Sequence, residues 1–224
     1  MNASEKILQS WHANADAWIA TIEGNDLESR VLATNDAIVT AVTALQPQRV
    51  IDIGCGEGWL CRALRSRGIE AWGVDAVLQL VKKAIEKDGP YYTTATYQEL
   101  ASGLHQLPLP FDVAVINFAL LDEEDTAHII HALPNLLRPT GYVVIQTLHS
   151  SVVDAGTPSG WQRGSWNGMK QDFVQPYQWY YRSTADWYQL FESAGFCCIH
   201  MQEPAHPHSG KPLSIIFVLQ VAQA

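Results

Sequence analysis

Hydrophobic and polar residues follow two different periods along this chain, and these periods predict where its helices and strands lie. Residues 4–20 and 29–45 carry apolar side chains at helical spacing, and in the first segment this spacing places Ile7, Trp11 and Trp18 on one face. From residue 49 onward, short continuous apolar runs alternate with segments of helical spacing. Strands that alternate with helices in this way predict a parallel sheet with helices on both faces.

The apolar runs predict five successive strands, over residues 49–54, 70–75, 91–95, 111–117 and 141–148. The segments between them predict helices over residues 59–67, 77–87 and 124–137. The last quarter of the chain then loses this rhythm. Residues 150–182 are rich in Gly, Pro, Ser and aromatic side chains and have no clear period. After them, a helix is predicted from Ser183 to Gly195.

The chain ends in two predicted strands, over residues 196–202 and 213–221, that are joined by a loop without a helix. Because strands connected in this way pair antiparallel, we expect a terminal hairpin at one edge of the sheet. The predicted fold is therefore α/β, with a doubly wound and mainly parallel sheet that ends in an antiparallel hairpin.

The composition suits a packed globular chain and argues against several classes of protein. Of 224 residues, 47% are hydrophobic, and 14 Lys and Arg stand against 23 Asp and Glu for a net charge of −9. Nucleic-acid binding needs a basic stripe, so a nucleic-acid partner is not expected. No apolar run approaches the roughly 18 residues of a membrane span, and the first residues do not resemble a secretory signal. The spacing of the four cysteines fits neither a disulfide framework nor a zinc site, so we expect reduced thiols in a cytoplasmic protein.

The most informative segment reads Val-Ile-Asp-Ile-Gly-Cys-Gly-Glu-Gly-Trp-Leu, over residues 50–60. A predicted strand runs into a glycine loop and the loop into a helix, which is the context of a nucleotide-like cofactor at the carboxyl end of a strand. Glycines let the backbone turn sharply and let a ligand approach closely. Asp75 ends the next predicted strand, 21 residues after Gly54, and this placement suits hydrogen bonds to a pair of ribose hydroxyls.

The glycine loop differs from a dinucleotide-binding loop in both spacing and charge. A G-x-G-x-x-G loop would have its third glycine at position 59, where this chain has Trp59, whereas its own third glycine is Gly58. A dinucleotide also places its pyrophosphate at the helix N-terminus. Asp52 and Glu57 lie at that turn, so they would repel a pyrophosphate and favour a cation.

The pattern D-x-G-x-G-x-G, followed by an acidic residue that closes the second strand, resembles the class I S-adenosylmethionine-dependent methyltransferases. Their cofactor has no phosphate and carries a positive sulfonium and a positive amino group. The resemblance implies S-adenosyl-L-methionine as cofactor, S-adenosyl-L-homocysteine as product, and a Rossmann-like, doubly wound, seven-stranded sheet, mostly parallel with an antiparallel last strand, plus N-terminal helices. Residues 136–145 and 181–196 are also similar to segments of this family.

The two leading helices are similar to those of small-molecule O-methyltransferases of the ubiquinone-biosynthesis type. In these proteins an arginine on a leading helix pairs with the cofactor carboxylate, and Arg30 matches that position. The resemblance implies a set of cofactor-binding residues: Arg30, Asp52, Gly54, Cys55, Gly56, Gly58, Asp75, Ala76, Thr96, Tyr97 and Asn117.

One segment departs from the family pattern. Many members have an acidic residue directly after the third strand, where it meets the adenine amino group, but residues 95–99 read Ala-Thr-Tyr-Gln-Glu. We therefore assign the adenine edge to Thr96 and Tyr97, with Ala76 on the face of the ring. Asn117 ends the fourth strand and is expected to reach the methionine part of the cofactor through its backbone carbonyl.

By the same resemblance, the chain is one methyltransferase domain, 1–224, in four parts: an N-terminal helical cap over 1–48, a cofactor-binding core over 49–148, an aromatic cover over 149–182, and a helix with the terminal hairpin over 183–224. Between Trp161 and Phe191, a span of 31 residues, lie 10 of the 22 aromatic residues. Such a cluster suits an apolar acceptor pocket, and aromatic faces also attract a sulfonium. The alternative is that these rings only complete the core.

Methyl transfer to a hydroxyl needs an aligned acceptor, the exclusion of water and a base that takes the proton. His149, directly after the fifth predicted strand, is the best-placed candidate for the catalytic base, and a hydrogen-bonded structural histidine is the alternative. The acids over residues 122–125 are predicted to cap the next helix. His206 and His208 have no supporting Cys or acidic cluster, so no metal site is predicted.

The sequence therefore predicts an enzyme that transfers a methyl group from S-adenosyl-L-methionine to a small-molecule acceptor. A hydroxyl oxygen of an aromatic or polyketide-like compound is the first expectation for the methylated atom. Two alternatives remain: transfer of another group from the same cofactor, and a non-catalytic protein that only binds the cofactor.

Overall fold

A computed structural model describes residues 2–104 and 106–222 of the chain. Its strands are β1 (Arg49–Ile53), β2 (Glu70–Asp75), β3 (Tyr92–Thr94), β4 (Phe111–Asn117), β5 (Leu137–Thr147), β6 (Gly160–Arg163), β7 (Gln178–Tyr181), β8 (Phe196–Gln202) and β9 (Ile215–Val221). Its α-helices are α1 (Ala3–Ala13), α2 (Ala15–Glu23), α3 (Asn35–Thr43), α4 (Trp59–Arg65), α5 (Leu78–Asp88), α6 (Tyr97–Ala101), α7 (Glu124–Ala132) and α8 (Thr184–Ser193).

Seven strands form the central sheet, in the order β3-β2-β1-β4-β5-β9-β8. Strands β1 to β5 pair in parallel, whereas β9 pairs antiparallel with both β5 and β8. This order confirms the Rossmann-like sheet with an antiparallel last strand. The strand order reverses between β1 and β4, and in open α/β sheets ligands bind in the crevice outside the carboxyl ends of the strands at such a point.

The central strands are buried on both faces, which explains why they are continuous apolar runs in the sequence. Along β4, Val113 and Val115 pack against the side of the sheet that α3, α4 and α5 cover. Ala114 and Ile116 pack against the opposite side, under α6, α7 and α8. The period of two along a strand thus distributes one apolar run between two cores.

Several element boundaries differ from those predicted. The segment predicted as one helix over residues 4–20 is divided at Asn14 into α1 and α2, and the next helix begins with a π-helical turn, Arg30–Thr34. Helix α7 ends at Ala132 because Pro134 lacks the backbone N–H that a longer helix needs, so a 3₁₀ turn follows and β5 already begins at Leu137.

One helix and two strands were not predicted at all. Helix α6 is a short helix whose capping box joins Thr96 and Glu99. Strands β6 and β7 pair antiparallel in a separate two-stranded sheet within the segment that has no clear period. Among the described residues, no helix combines the length and the apolar character that crossing a bilayer requires.

Candidate functional site

A cavity of about 380 Å³ opens at the carboxyl ends of β1, β2 and β4, and its lining also includes residues from α1, α2 and residues 165–177. Its volume falls in the range of small-molecule sites. Most of the residues predicted to bind a cofactor line this cavity: Arg30, Asp52, Gly54, Cys55, Gly56, Asp75, Ala76, Thr96, Tyr97 and Asn117. Gly58 and His149 are not part of the lining.

Two positions of the loop between β1 and α4 require glycine, because each has a positive φ and no room for a side chain. Gly54 has a φ of 79°, and a Cβ added to it would lie 2.3 Å from the Cβ of Ala119. Gly58 has a φ of 85°, and its added Cβ would lie 2.6–2.8 Å from the ring of Tyr92. Gly58 therefore packs against a neighbouring strand and turns the loop into α4, while its predicted cofactor contact stays a prediction.

Asp75, at the end of β2, holds the glycine loop in position. Its Oδ2 accepts a hydrogen bond from the backbone N–H of Gly56 at 2.8 Å, and its Oδ1 accepts one from Val77 at 2.8 Å. Burial raises the pKa of this carboxyl. Because each carboxylate oxygen can accept more than one hydrogen bond, Asp75 can also receive two ribose hydroxyls.

Asp52 lies deeper, next to the end of β1, and is almost completely buried. Its Oδ2 is 3.8 Å from the thiol of Cys61, and its buried Oδ1 has no hydrogen-bond partner among the described residues. Burial, and then the neighbouring charge of Asp75, raise the pKa of Asp52 to about 7. A buried carboxylate without a partner is costly, so this arrangement favours a cationic ligand.

Arg30 opens the π-helical turn and places its guanidinium 4.7 Å from the ring centroid of Trp59 and 6.0 Å from that of Trp18. Its Nε donates to Oδ1 of Asn35 at 3.2 Å, and its buried Nη2 has no partner in the part of the chain that is described. Burial lowers the pKa of Arg30 to about 10, so the side chain stays charged at neutral pH. A π-turn at this point is consistent with a functional site.

Asn117, at the end of β4, adds a third buried polar atom that lacks a partner among the described residues, its side-chain Oδ1. The cavity therefore brings together one guanidinium N–H, one carboxylate oxygen and one amide oxygen from three separate elements. Oε1 of Glu57 is a fourth such atom in the lining, but the charge of Glu57 is already paired with Arg62 and Lys87 through Oε2. Buried polar groups are nearly always paired in folded proteins. This set can pair with a ligand that presents a carboxylate and an ammonium group close together.

The predicted adenine end of the cavity also contains Thr96 and Tyr97, but both hydroxyls already have partners. The Thr96 hydroxyl takes part in the capping box of α6, and the Tyr97 hydroxyl donates to the carbonyl of Ala119 at 2.8 Å. Asp122 and Asp125 line the cavity as well, and Oδ1 of Asp122 accepts from the backbone N–H of Asp125, as the predicted capping role requires.

A row of aromatic rings leads along the cavity away from the glycine loop. Trp18 and Trp11 pack edge to face at 5.2 Å, Trp11 and Trp166 at 5.7 Å, and Trp166 lies 4.5 Å from Tyr177. Trp11 and Trp18 were predicted to share a helix face, but the pattern did not assign them to the site. Their shared helix face was the feature of the sequence that could have indicated their place in the cavity.

The aromatic cover divides between the cavity and the rest of the fold. Trp166 and Tyr177 line the cavity. Trp161 and Trp179 belong to the β6–β7 hairpin, and Trp187 is buried in the core under α8. Both interpretations of these rings therefore hold, each for a different part of the segment.

The cover is joined to the leading helices through Asn14, at the break between α1 and α2. The side-chain amide of Asn14 donates to the carbonyl of Gln175 at 2.7 Å and accepts from the N–H of Val174 at 2.7 Å. The Ser10 hydroxyl also donates to Gln175 at 3.0 Å. The Asn14 amide thus donates one hydrogen bond and accepts another, as a backbone peptide group does in a sheet, and these bonds hold the cover over the cavity.

The structure places His149 outside the cavity, although the residue does follow β5 as predicted. Its Nδ1 accepts from the backbone N–H of Ser151 at 3.1 Å, and its Nε2 lies 3.1 Å from Oε1 of Glu203. Both ring nitrogens are thus engaged where the chain turns away from the sheet, which is the structural alternative. The described residues that line the cavity include neither histidine nor lysine.

Comparison with known families matches residues 27–201 to the model of a methyltransferase domain. The chain therefore belongs to this methyltransferase family, which confirms the resemblance seen in the sequence. Among curated proteins, it is 31% identical over 119 residues to the ubiquinone biosynthesis O-methyltransferase of Alkalilimnicola ehrlichii, covering 51% of this chain and 47% of that protein. The corresponding protein of Stutzerimonas stutzeri is 32% identical over 114 residues, or 47% of each chain. The chain spans about half the length of these relatives.

Solved structures share the fold of this chain at low sequence identity. A 1,6-didemethyltoxoflavin-N1-methyltransferase of Burkholderia thailandensis superposes with a TM-score of 0.69 at 15% identity, covering 100% of this chain and 92% of that one. An S-adenosylmethionine-dependent methyltransferase from Mesorhizobium loti gives a TM-score of 0.60 at 21% identity, covering 83% and 99%. These similarities confirm the fold.

Proposed function

We propose that this chain binds S-adenosyl-L-methionine in the cavity at the carboxyl ends of β1, β2 and β4, and transfers its methyl group to a small-molecule acceptor. The observation that carries the proposal is a set of three of the four buried polar atoms in the lining that lack partners among the described residues, namely Arg30 Nη2, Asp52 Oδ1 and Asn117 Oδ1. The first expectation for the methylated atom is a hydroxyl oxygen. The family and the names of its relatives support this assignment.

The three atoms suit the methionine part of the cofactor. Arg30 would pair with its carboxylate, and Asp52 and Asn117 would accept hydrogen bonds from its ammonium group. This use of the Asn117 side chain replaces the backbone carbonyl that was predicted. Asp75 would bind the ribose, and Ala76 and Tyr97 would flank the adenine.

The cofactor supplies an activated methyl group and its own leaving group, so the protein has to orient the two reactants and exclude water. The leading helices and the cover contribute aromatic side chains that line the cavity and shield it from solvent. A net charge of −9 supports a small-molecule acceptor over a nucleic acid. The four cysteines are unpaired, which supports a reducing, cytoplasmic location.

Calorimetric titration with S-adenosyl-L-homocysteine, 5′-methylthioadenosine and NAD tests the proposal. We expect the first two to bind. Arg30→Gln should weaken S-adenosyl-L-homocysteine about 10- to 100-fold, because it removes a charged hydrogen bond, and leave 5′-methylthioadenosine unchanged, because that nucleoside has no carboxylate. Arg163→Gln is the matched control, since Arg163 is exposed on β6 and does not line the cavity.

Binding of NAD without binding of S-adenosyl-L-homocysteine or 5′-methylthioadenosine would overturn the proposed function. Equal affinities of Arg30→Gln and the unaltered chain for S-adenosyl-L-homocysteine would show that the carboxylate is held elsewhere.

A further inference from the structure

The aromatic row separates the two ends of the cavity. Its first member, Trp18, lies beside the glycine loop, with the indole nitrogen 3.7 Å from the place that a Cβ on Gly56 would take. Its last member, Tyr177, is joined to Trp18 by the ring contacts of Trp11 and Trp166. Since the groups suited to the cofactor lie at the glycine loop, the Tyr177 end is the part of the cavity left for the acceptor.

The ring of Tyr177 is held in place from two sides. It lies so close to Gly164 that a Cβ there would fall 2.3–2.5 Å from three of its ring atoms, and the Gly164 N–H donates to the Tyr177 carbonyl at 2.9 Å. Trp166 packs against it at a centroid distance of 4.5 Å. A ring confined in this way presents its hydroxyl in a defined position.

The polar atoms of the two cover rings differ in their partners. The indole N–H of Trp166 donates to the carbonyl of Gln175 at 2.7 Å and is therefore committed to the protein. The Tyr177 hydroxyl has no hydrogen-bond partner among the described residues. Burial raises the pKa of Tyr177, so the hydroxyl keeps its proton at neutral pH and acts as a donor.

The charge of the lining restricts what this end of the cavity can accept. Among the described residues, the charged side chains that line the cavity are five carboxylates and one guanidinium, and that guanidinium, Arg30, lies at the opposite end of the aromatic row. The lining also includes apolar Leu148 and Met169. An anionic acceptor at the Tyr177 end would thus lose its hydration without a cationic side chain of the described lining beside it to compensate.

We propose that Tyr177 is an acceptor-binding residue, whose hydroxyl donates a hydrogen bond to an oxygen of a planar, uncharged acceptor. The inference rests on the proposed function, because the cofactor defines which end of the cavity is left for the acceptor. It adds a specificity residue and a charge requirement that the family comparison does not supply.

The test uses the full chain saturated with S-adenosyl-L-homocysteine and two probes of nearly equal shape, 2-naphthol and 2-methylnaphthalene, with affinities measured by calorimetry. Tyr177→Phe should lower the ratio of the 2-naphthol to the 2-methylnaphthalene association constant by about fivefold, the effect of one lost hydrogen bond. A structural role for Tyr177 would lower both constants and leave their ratio unchanged. Tyr188→Phe, the same change on an exposed ring outside the cavity, should leave the ratio as it is.

A third probe, 2-naphthoate, tests the charge requirement, and it should bind at least about tenfold more weakly than 2-naphthol. The inference is overturned by an unchanged ratio in Tyr177→Phe, by 2-naphthoate binding as tightly as 2-naphthol, or by no binding of 2-naphthol. The first titration, with S-adenosyl-L-homocysteine alone, separates the two proposals. If that ligand does not bind, the proposed function itself fails, whereas binding followed by an unchanged ratio removes only the role of Tyr177.

Discussion

At the scale of single residues, the site combines a carboxylate and a guanidinium, and burial disfavours the charged form of each. Burial raises the pKa of Asp52 to about 7 and lowers that of Arg30 to about 10. Asp52 therefore titrates in the neutral range, while Arg30 remains charged throughout it. A zwitterionic ligand would supply each group with the partner it lacks.

The affinity for S-adenosyl-L-homocysteine should therefore depend on pH through Asp52. The protonated carboxyl cannot pair with an ammonium group, so the dissociation constant should rise by up to about tenfold for each pH unit below 7 and level off above about pH 8. Titrations from about pH 5.5 to 8.5 measure this dependence. Asp52→Asn should give weaker binding at pH 8 and a flat profile.

A control for the pH dependence is 5′-methylthioadenosine, which has no ammonium group and should bind equally well across the range. A flat profile for S-adenosyl-L-homocysteine with the unaltered chain would place the ammonium away from Asp52.

At the scale of elements, a buried side chain between two short helices links the cover to the leading helices. Asn14 is buried, ends α1 and precedes α2, and its amide pairs with the backbone of Val174 and Gln175 in the cover. A second link joins Asp26 to Lys170 and Gln171. The leading helices and the cover are therefore coupled without sharing a sheet.

Asn14→Ala should loosen the cover while the sheet remains folded. The change removes the hydrogen bonds of the Asn14 amide to the Val174 N–H and the Gln175 carbonyl, and each lost hydrogen bond costs about 0.5–1.5 kcal/mol locally. Hydrogen exchange followed by mass spectrometry should show faster exchange over residues 165–177, by about tenfold or more, and unchanged exchange in β1 and β4. The control is Asn135→Ala, which alters an exposed asparagine after α7 that does not line the cavity.

Unchanged exchange in the cover of Asn14→Ala would show that other contacts, such as those of Asp26, suffice to hold it. Equal acceleration in the sheet would show that the leading helices and the core unfold together.

At the scale of the whole molecule, the cavity lies where three separate parts of the chain meet. The strand ends supply Asp52 and Asp75, the leading helices supply Trp11 and Trp18, and the cover supplies residues from 165–177. A ligand in this cavity contacts all three parts at once. Its binding energy therefore adds to the stability of the whole assembly.

Saturating S-adenosyl-L-homocysteine should raise the unfolding temperature and slow exchange in the glycine loop, in α1 and α2, and, through the hydrogen bonds of Asn14, in the cover. At about 100 times its dissociation constant, the ligand adds about 2.7 kcal/mol, which corresponds to a shift of about 5–10 °C for a chain of this size. Differential scanning calorimetry and hydrogen exchange measure the two effects. Protection confined to the glycine loop would contradict a site that spans all three parts.

The local pattern of apolar and polar residues was sufficient to predict the central sheet and the site residues at the ends of its strands. Asp52, Gly54 and Asp75 were located because each follows directly from a buried strand, and the carboxyl ends of parallel strands meet at one edge. His149 also follows a strand, but the chain beyond β5 turns toward Glu203, so position after a strand did not bring its ring to the cavity.

The sequence by itself determined the alternation of strands and helices, the glycine loop and the positions of Asp52 and Asp75 near strand ends, because periods of two and about 3.6 residues and the conformational needs of glycine are local properties. Only the tertiary structure showed that Trp11, Trp18 and Tyr177 share one cavity and that Asn14 pairs with residues 174–175. These contacts join segments about 160 residues apart, and they arise from packing and from backbone groups that need partners, neither of which a local pattern records.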